Sequence, residues 1–341
     1  MAGEAPIKFI DTGANLLDSM FRGVYRGSQK HADDLIHVLS RAWETGIQKI
    51  ILTTGSLSEA ESAITFCRQY IDHEDARKGY QKAHPSEESA EPEHKPYLQS
   101  SMLSQRPHNR IFTTVGVHPT RCMELEKGGD AYLEQLLKLA KEYKGKSVVA
   151  IGECGLDWER LEFCPKDVQL RWFEAHFTLA EQTGLPMFLH MRGSAEEELQ
   201  LLSRHRHRFS GGVVHSFDDT VEVAHRILDL GLYIGLNGCS LRTEASLEVV
   251  KALPRERILL ETDAPWCDIR PTHAGFKHVR SQMPAVKPEK FVLGQRVKGR
   301  NEPSNILQVC EVVAGVRGES VAEVAAYCWQ NTLDLFFPHL K

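Results

Sequence analysis

A chain of 341 residues, 42% of them hydrophobic, can bury a sizeable single core, and α/β barrels of about 250 residues fold as one domain. A formal net charge of -5 and a pI near 6.4 exclude a globally basic nucleic-acid binder, so a polyanion would have to be met by a local basic patch. Eight cysteines without a CxxC pair argue against a zinc knuckle or a compact disulfide framework, and no charged-then-apolar leader or run of about 20 apolar residues is present, which predicts reduced thiols in an unsecreted protein with no membrane partner.

Short apolar runs alternate with amphipathic stretches along the chain. The first run is Ile7 to Asp11, followed by a helical pattern over Asp33 to Glu44 and a second run at Lys49 to Thr53. A second helix leads into Asp72 to Asn109, rich in Glu, Ser, His, Lys and Pro and without apolar periodicity, which reads as a partly disordered insertion. The alternation resumes with Ile111 to Val117, helix Ala131 to Tyr143, Ser147 to Gly152, helix Val168 to Gln182, Pro186 to His190, helix Ala195 to Arg204, Gly212 to His215, helix Val221 to Leu230, Leu232 to Gly235 and Ile258 to Thr262. Two more helical patterns, Ile306 to Val316 and Val321 to Phe337, close the barrel bottom or flank. Eight strands alternating with helices predict a TIM-type (β/α)8 barrel, one domain over residues 1–341 with an insertion at 72–109.

Such barrels present their chemistry at the C-terminal ends of the strands, so the polar residues that terminate apolar runs are the informative ones. The fourth, fifth, sixth and eighth runs lead to Glu153, His190, His215 and Asp263. One histidine after three apolar residues is ordinary core; four metal-type side chains at corresponding strand ends predict a divalent-metal centre suited to Zn, Mn or Co, and with added waters Mg. A metal there lowers the pKa of water and polarises a scissile carbonyl or phosphoryl group, and Asp263 is assigned to orient or deprotonate that water. His118, after the third run, either donates to a substrate oxygen or orders its loop. Arg192 is either a phosphate clamp or a surface ion pair. Asp157 reads as structural or as a support to the ligands.

After the eighth strand, Pro271 to Arg300 carries Lys277, Arg280, Lys287, Lys290, Arg296, Lys298 and Arg300 against the single acid Glu289, a net +6 within an acidic protein. It reads either as an anion-facing surface that includes Arg300 as a substrate contact or as a solvated loop.

Phe9-Ile10-Asp11, Gly116-Val117-His118-Pro119, Ala150-Ile151-Gly152-Glu153-Cys154-Gly155-Leu156-Asp157, Phe188-Leu189-His190, Val214-His215-Ser216-Phe217, Glu261-Thr262-Asp263-Ala264-Pro265 and Arg300-Asn301-Glu302-Pro303 resemble the TatD deoxyribonucleases over nearly the whole chain. Met20 to Gly27 and Asn237 to Leu241 look like the eukaryotic branch, for which a nuclear or cytoplasmic location is expected. The resemblance implies a barrel of the metal-dependent hydrolase superfamily that cuts DNA as a 3′-to-5′ exonuclease, with Glu153, His190, His215 and Asp263 on the metal and Glu153 and Asp263 catalytic. Many relatives begin with Asp-x-His-x-His, whereas here Asp11-Thr12 leads to Gly13-Ala14-Asn15. Losing those imidazoles shifts the balance toward Mg or Mn, with one well-defined ion, a second that arrives with substrate phosphate, and Asp11 and Asn15 as a possible additional site. A deacylase or amidohydrolase acting, for example, on aminoacyl-tRNA, and a non-catalytic scaffold, are the alternative functions. No obligate protein partner follows from the sequence.

Overall fold

Residues 6–83 and 110–340 are described in a computed structural model. The eight parallel strands of one sheet are β1 (Phe9–Ala14), β2 (Ile47–Leu52), β3 (Ile111–Val115), β4 (Val148–Asp157), β5 (Met187–Arg192), β6 (Gly212–Val214), β7 (Tyr233–Leu236) and β8 (Ile258–Leu260), hydrogen-bonded in that order. The sheet closes where the residues after β8 meet β1: Asp263 N donates to Gly13 O at 2.8 Å, and Asn15 N donates to Ala264 O at 2.7 Å. Helices α1 (Leu35–Glu44), α2 (Leu57–Ala83), α3 (Cys122–Tyr143), α4 (Lys166–Thr183), α5 (Ala195–His205), α6 (Val221–Asp229), α7 (Glu244–Ala252), α8 (Ile306–Arg317) and α9 (Val321–Phe336) form the outer layer.

Alternation of side chains along each strand divides the core in two. One set, Ile10, Ile51, Phe112, Val149, Phe188, Val213 and Leu259, fills the barrel lumen. Below it, the end of α9 supplies Leu335 and Phe336 and the next residue is Phe337, which meets Phe112 edge-on at a centroid distance of 4.7 Å. The barrel floor is therefore a packed hydrophobic plug, and polar groups collect at the opposite rim. The other set packs against the helices, whose inward stripes include Val38, Leu39 and Ala42 of α1 and Phe173, Phe177 and Ala180 of α4.

The sequence-read boundaries shift in instructive places. α2 continues to Ala83, twelve residues into the segment read as an insertion, because charged and polar helix formers from Asp72 onward carry no apolar stripe to announce it. Residues 84–109 of that segment lie outside the described residues. α7 escaped the periodicity reading, although Thr243 and Ser246 form a capping box at its start. α3 begins nine residues before its expected start at Ala131, beyond the break at Gly129, whose φ is +56°. No described helix is long and apolar enough to cross a membrane.

Candidate metal centre

β4, whose apolar run ends at Gly152 before the polar Glu153, runs on to Asp157. The register slips between Ile151 and Cys154, and the irregularity aims the Glu153 side chain into the mouth. Gly152 is required there: its φ is +145°, and a Cβ would come within 2.3 Å of the Phe188 carbonyl oxygen on β5. The backbone contact that excludes a side chain at 152 is thus what brings Glu153 over the end of β5.

His190 lies within β5 and His215 follows β6. His190 Nδ1 and His215 Nε2 each stand 2.8 Å from Glu153 Oε1 and 3.3 Å from one another. Both imidazoles are about 6% exposed, so three donor atoms converge in a nearly dry recess at the rim. The far nitrogens face carboxylates: His190 Nε2 is 3.2 Å from Asp157 Oδ2, and His215 Nδ1 is 3.5 Å from Glu261 Oε1. A proton held on each far nitrogen leaves the near lone pairs for a cation, the carboxylate–histidine arrangement of metal sites. The donor set fits a divalent ion for that reason. A second group of mutually close donors, His118, Asp157 and His190, adjoins the first and shares His190 with it.

Charge balance reflects the same crowding. Burial opposes ionisation of Glu153, but His215, His118 and His190 outweigh it and hold the carboxyl well below its usual range. Burial likewise opposes a charged His215, but Glu153 and Glu261 raise its pKa well above 6.5. His118 is pushed down to about 3, chiefly by burial, and is neutral near physiological pH. Its Nδ1 accepts from the Thr120 backbone N–H at 3.2 Å while Nε2 lies 3.4 Å from Glu153 Oε1, so it both orders its loop and faces the recess.

Asp263 lies outside both groups of close donors. It occupies a left-handed turn with φ of +53°, and its carboxylate accepts from Asn15 Nδ2 at 2.9 Å and from the Cys267 thiol at 3.2 Å. Burial pushes its pKa up to about 6. Asp11 and Asn15 join neither group of close donors. Asp11 accepts from Thr262 N at 2.9 Å and Thr262 Oγ1 at 2.6 Å, and Asn15 braces Asp263 while its Oδ1 accepts from Thr53 Oγ1 at 2.6 Å. Both residues stitch the closing seam of the barrel.

Two of the expected substrate contacts have partners within the chain. Arg300 is 3% exposed and makes a bidentate pair with Asp34 at 2.6 and 2.7 Å, and it reaches Glu302 Oε1 at 3.0 Å. This sealed guanidinium ties the start of α1 to the return loop. Arg192 forms an ion pair with Asp218. Within the basic segment, Arg296 also turns inward to Glu302 and Lys277 pairs with Glu244, while Arg280, Lys287, Lys290 and Lys298 remain exposed.

Several positioning residues were missed. Glu261 is fully buried and accepts from Ser216 N at 2.6 Å and Asn237 Nδ2 at 3.0 Å beside His215. On α4, His176 Nε2 accepts from Val117 N at 3.0 Å, and Gln169 brackets the backbone of Asp157 with bonds of 2.8 and 2.9 Å. Polar side chains on the inward stripe of an amphipathic helix were the signal that marked these two. Asn301 Nδ2 holds Thr262 O at 2.9 Å and Trp266 O at 2.7 Å, which fixes the turn bearing Asp263.

Comparison with known proteins agrees with this architecture. A family model described as TatD related DNase matches residues 10–337. The deoxyribonuclease Tat-D of Schizosaccharomyces pombe is 36% identical over 337 residues, covering 96% of both chains. A 3'-5' ssDNA/RNA exonuclease TatD from Shigella flexneri is 28% identical, covering 96% of this chain and 98% of its own. The crystal structure of a TatD family hydrolase from Entamoeba histolytica superposes with a TM-score of 0.82 at 35% identity, covering 98% of this chain and all of the other.

Proposed function

This chain belongs to the family of TatD-related DNases, and on that premise we propose that it is a divalent-metal-dependent deoxyribonuclease acting as a 3′-to-5′ exonuclease on single-stranded DNA. The observation that carries the reading is the convergence of His190 Nδ1, His215 Nε2 and Glu153 Oε1 on one point. These three residues would hold the ion, with Mg or Mn favoured and Zn the alternative, and a second ion would need the oxygens of substrate phosphate. When bound, such an ion activates water and polarises the phosphoryl group.

The remaining work belongs to the chain. Asp263, raised to about 6 by burial, is a base matched to neutral pH and takes the proton from the attacking water. His118, kept neutral, turns a ring N–H toward a non-bridging phosphate oxygen. Trp266, 51% exposed, sits three residues beyond Asp263 in a turn closed by its own N–H on Asp263 O at 2.9 Å, and it offers a stacking face to an unpaired base. The exposed Arg280, Lys287, Lys290 and Lys298 attract the phosphate backbone.

The test is cleavage of 3′-labelled and 5′-labelled single-stranded and duplex DNA by the purified chain in EDTA, Mg, Mn and Zn, beside His190→Ala and Asp263→Asn. Metal-dependent shortening from the 3′ end, lost in both variants, is the expected result. If His190→Ala abolishes metal binding while Asp263→Asn retains both ion and full rate, the proton role of Asp263 is wrong. Absence of cleavage under every metal would turn attention to carbonyl substrates and the deacylase alternative.

A further inference from the structure

Two cysteines meet beside the rim without taking part in the chemistry above. Cys239 opens the short 3-10 turn after β7, and Cys267 follows the turn that carries Asp263 after β8. Their sulfurs are 2.7 Å apart. The backbones are equally close, since a Cβ on Gly238 would fall 1.9 Å from the Cys267 carbonyl oxygen. Each sulfur also has a distinct partner. Arg242 directs a guanidinium N–H at Cys239 Sγ, 2.9 Å away, while the Cys267 thiol donates to Asp263 Oδ2 at 3.2 Å. The other seven cysteines, Cys239 among them, are buried, whereas Cys267 is partly exposed and gives a small oxidant a way in to the pair.

We infer that Cys239 and Cys267 are a peroxide-sensitive thiol pair, closing to a reversible disulfide that switches off the adjacent site. Arg242 favours negative charge on Cys239 sulfur and so marks it as the attacking atom. That sulfur attacks one oxygen of hydrogen peroxide: an S–O bond forms, the O–O bond breaks, and the departing hydroxide leaves as water with the thiol's proton. Cys267 sulfur then attacks the Cys239 sulfenic acid, forming the S–S bond and breaking S–O, and the second water carries away the Cys267 proton. Two thiols lose two electrons, and one peroxide becomes two waters. The closed pair removes the S–H donor from Asp263 Oδ2 and tethers the Asp263 turn to the β7 loop, which disturbs the group assigned to handle the water's proton.

The switching half of this inference rests on the nuclease reading; the thiol chemistry does not, so the two are measured separately. The full chain is treated with hydrogen peroxide, denatured and titrated for thiols, then digested without reduction for mass spectrometry. Eight free thiols before treatment should fall to six, with a Cys239–Cys267 cross-linked peptide, and dithiothreitol should restore eight. The DNA-cleavage rate should fall about tenfold, the scale of a lost hydrogen bond to a charged group, and recover on reduction. Cys239→Ser, which is outside the catalytic machinery, should keep its seven thiols and its rate after the same treatment. A disulfide between other cysteines, or undiminished thiols, overturns the pair. A correct disulfide with an unchanged rate overturns the switch. A reduced protein inactive on every nucleic acid would count against the nuclease reading and overturn the switch with it, while the cross-linked peptide would still decide the thiol pair.

Discussion

Glu261 separates holding a metal from steering the residue that holds it. Its carboxylate satisfies Ser216 N and Asn237 and stands beside His215 Nδ1, so it selects the tautomer that leaves Nε2 free. Glu261→Gln keeps an acceptor for Ser216 but loses the charge. The expected outcome is a 10–100-fold weaker metal affinity in a calorimetric titration, on the order found for such supporting groups, with unchanged far-ultraviolet circular dichroism. Undiminished affinity would reduce Glu261 to a structural residue. Asp11 makes a pH prediction. Burial raises its pKa from 3.8 to about 8 against the opposing hydrogen bonds from Thr262 and Gly13. The folded state therefore retains a proton that the unfolded chain has released, and stability contributed at this position falls as pH rises from about 4 to about 8. In EDTA, the urea midpoint of the native chain should drop more between pH 5 and pH 8 than that of Asp11→Asn. Parallel lines for the two proteins would show that Asp11 does not titrate in this way.

At the scale of elements, the stretch Arg300-Asn301-Glu302 is a bracket between the first helix and the last strand. Arg300 clamps Asp34 at the start of α1, Glu302 receives Arg41 at 2.8 Å, and Asn301 holds the turn bearing Asp263. Arg300→Met leaves Asp34 buried without its partner and is expected to cost about 3–5 kcal/mol in denaturant unfolding. Metal affinity of the folded protein should persist, since neither donor group includes Arg300. A selective loss of DNA binding at unchanged stability would restore it to the substrate surface. The extension of β4 makes a complementary prediction. Gly152→Ala forces a methyl group against the Phe188 carbonyl and displaces Glu153, so metal binding should be lost; calorimetry on the soluble variant checks it. These elements were only partly readable beforehand. Strand existence came through in apolar runs, but the continuation of β4 was hidden because a glycine needed for close backbone approach looks the same in sequence as a glycine that ends a strand.

For the whole molecule, the rim and the plug divide the labour. The hydrophobic floor built by Phe112, Phe188 and Phe337 keeps the barrel closed without help from the site, so the polar recess can hold three converging donors whose burial opposes their charged forms. An ion that binds only the folded state adds about 2.7 kcal/mol at a hundredfold excess over its Kd. Thermal unfolding with Mn should therefore shift upward relative to EDTA for the native chain and not for His215→Ala. By itself the sequence determined the eight-strand alternation, the barrel, and the assignment of Glu153, His190 and His215 to the fourth, fifth and sixth runs, because side-chain period is a local property of the chain. It also carried the family resemblance, since matching motifs need no coordinates. Only the tertiary structure decided that Arg300 is sealed against Asp34, that Asp11 and Asn15 stitch the seam, that Glu261 backs His215, and that Cys239 touches Cys267. Each of these pairs residues from different strands or loops, and charge or residue type alone does not say whether a side chain points to solvent, to a partner or to the site.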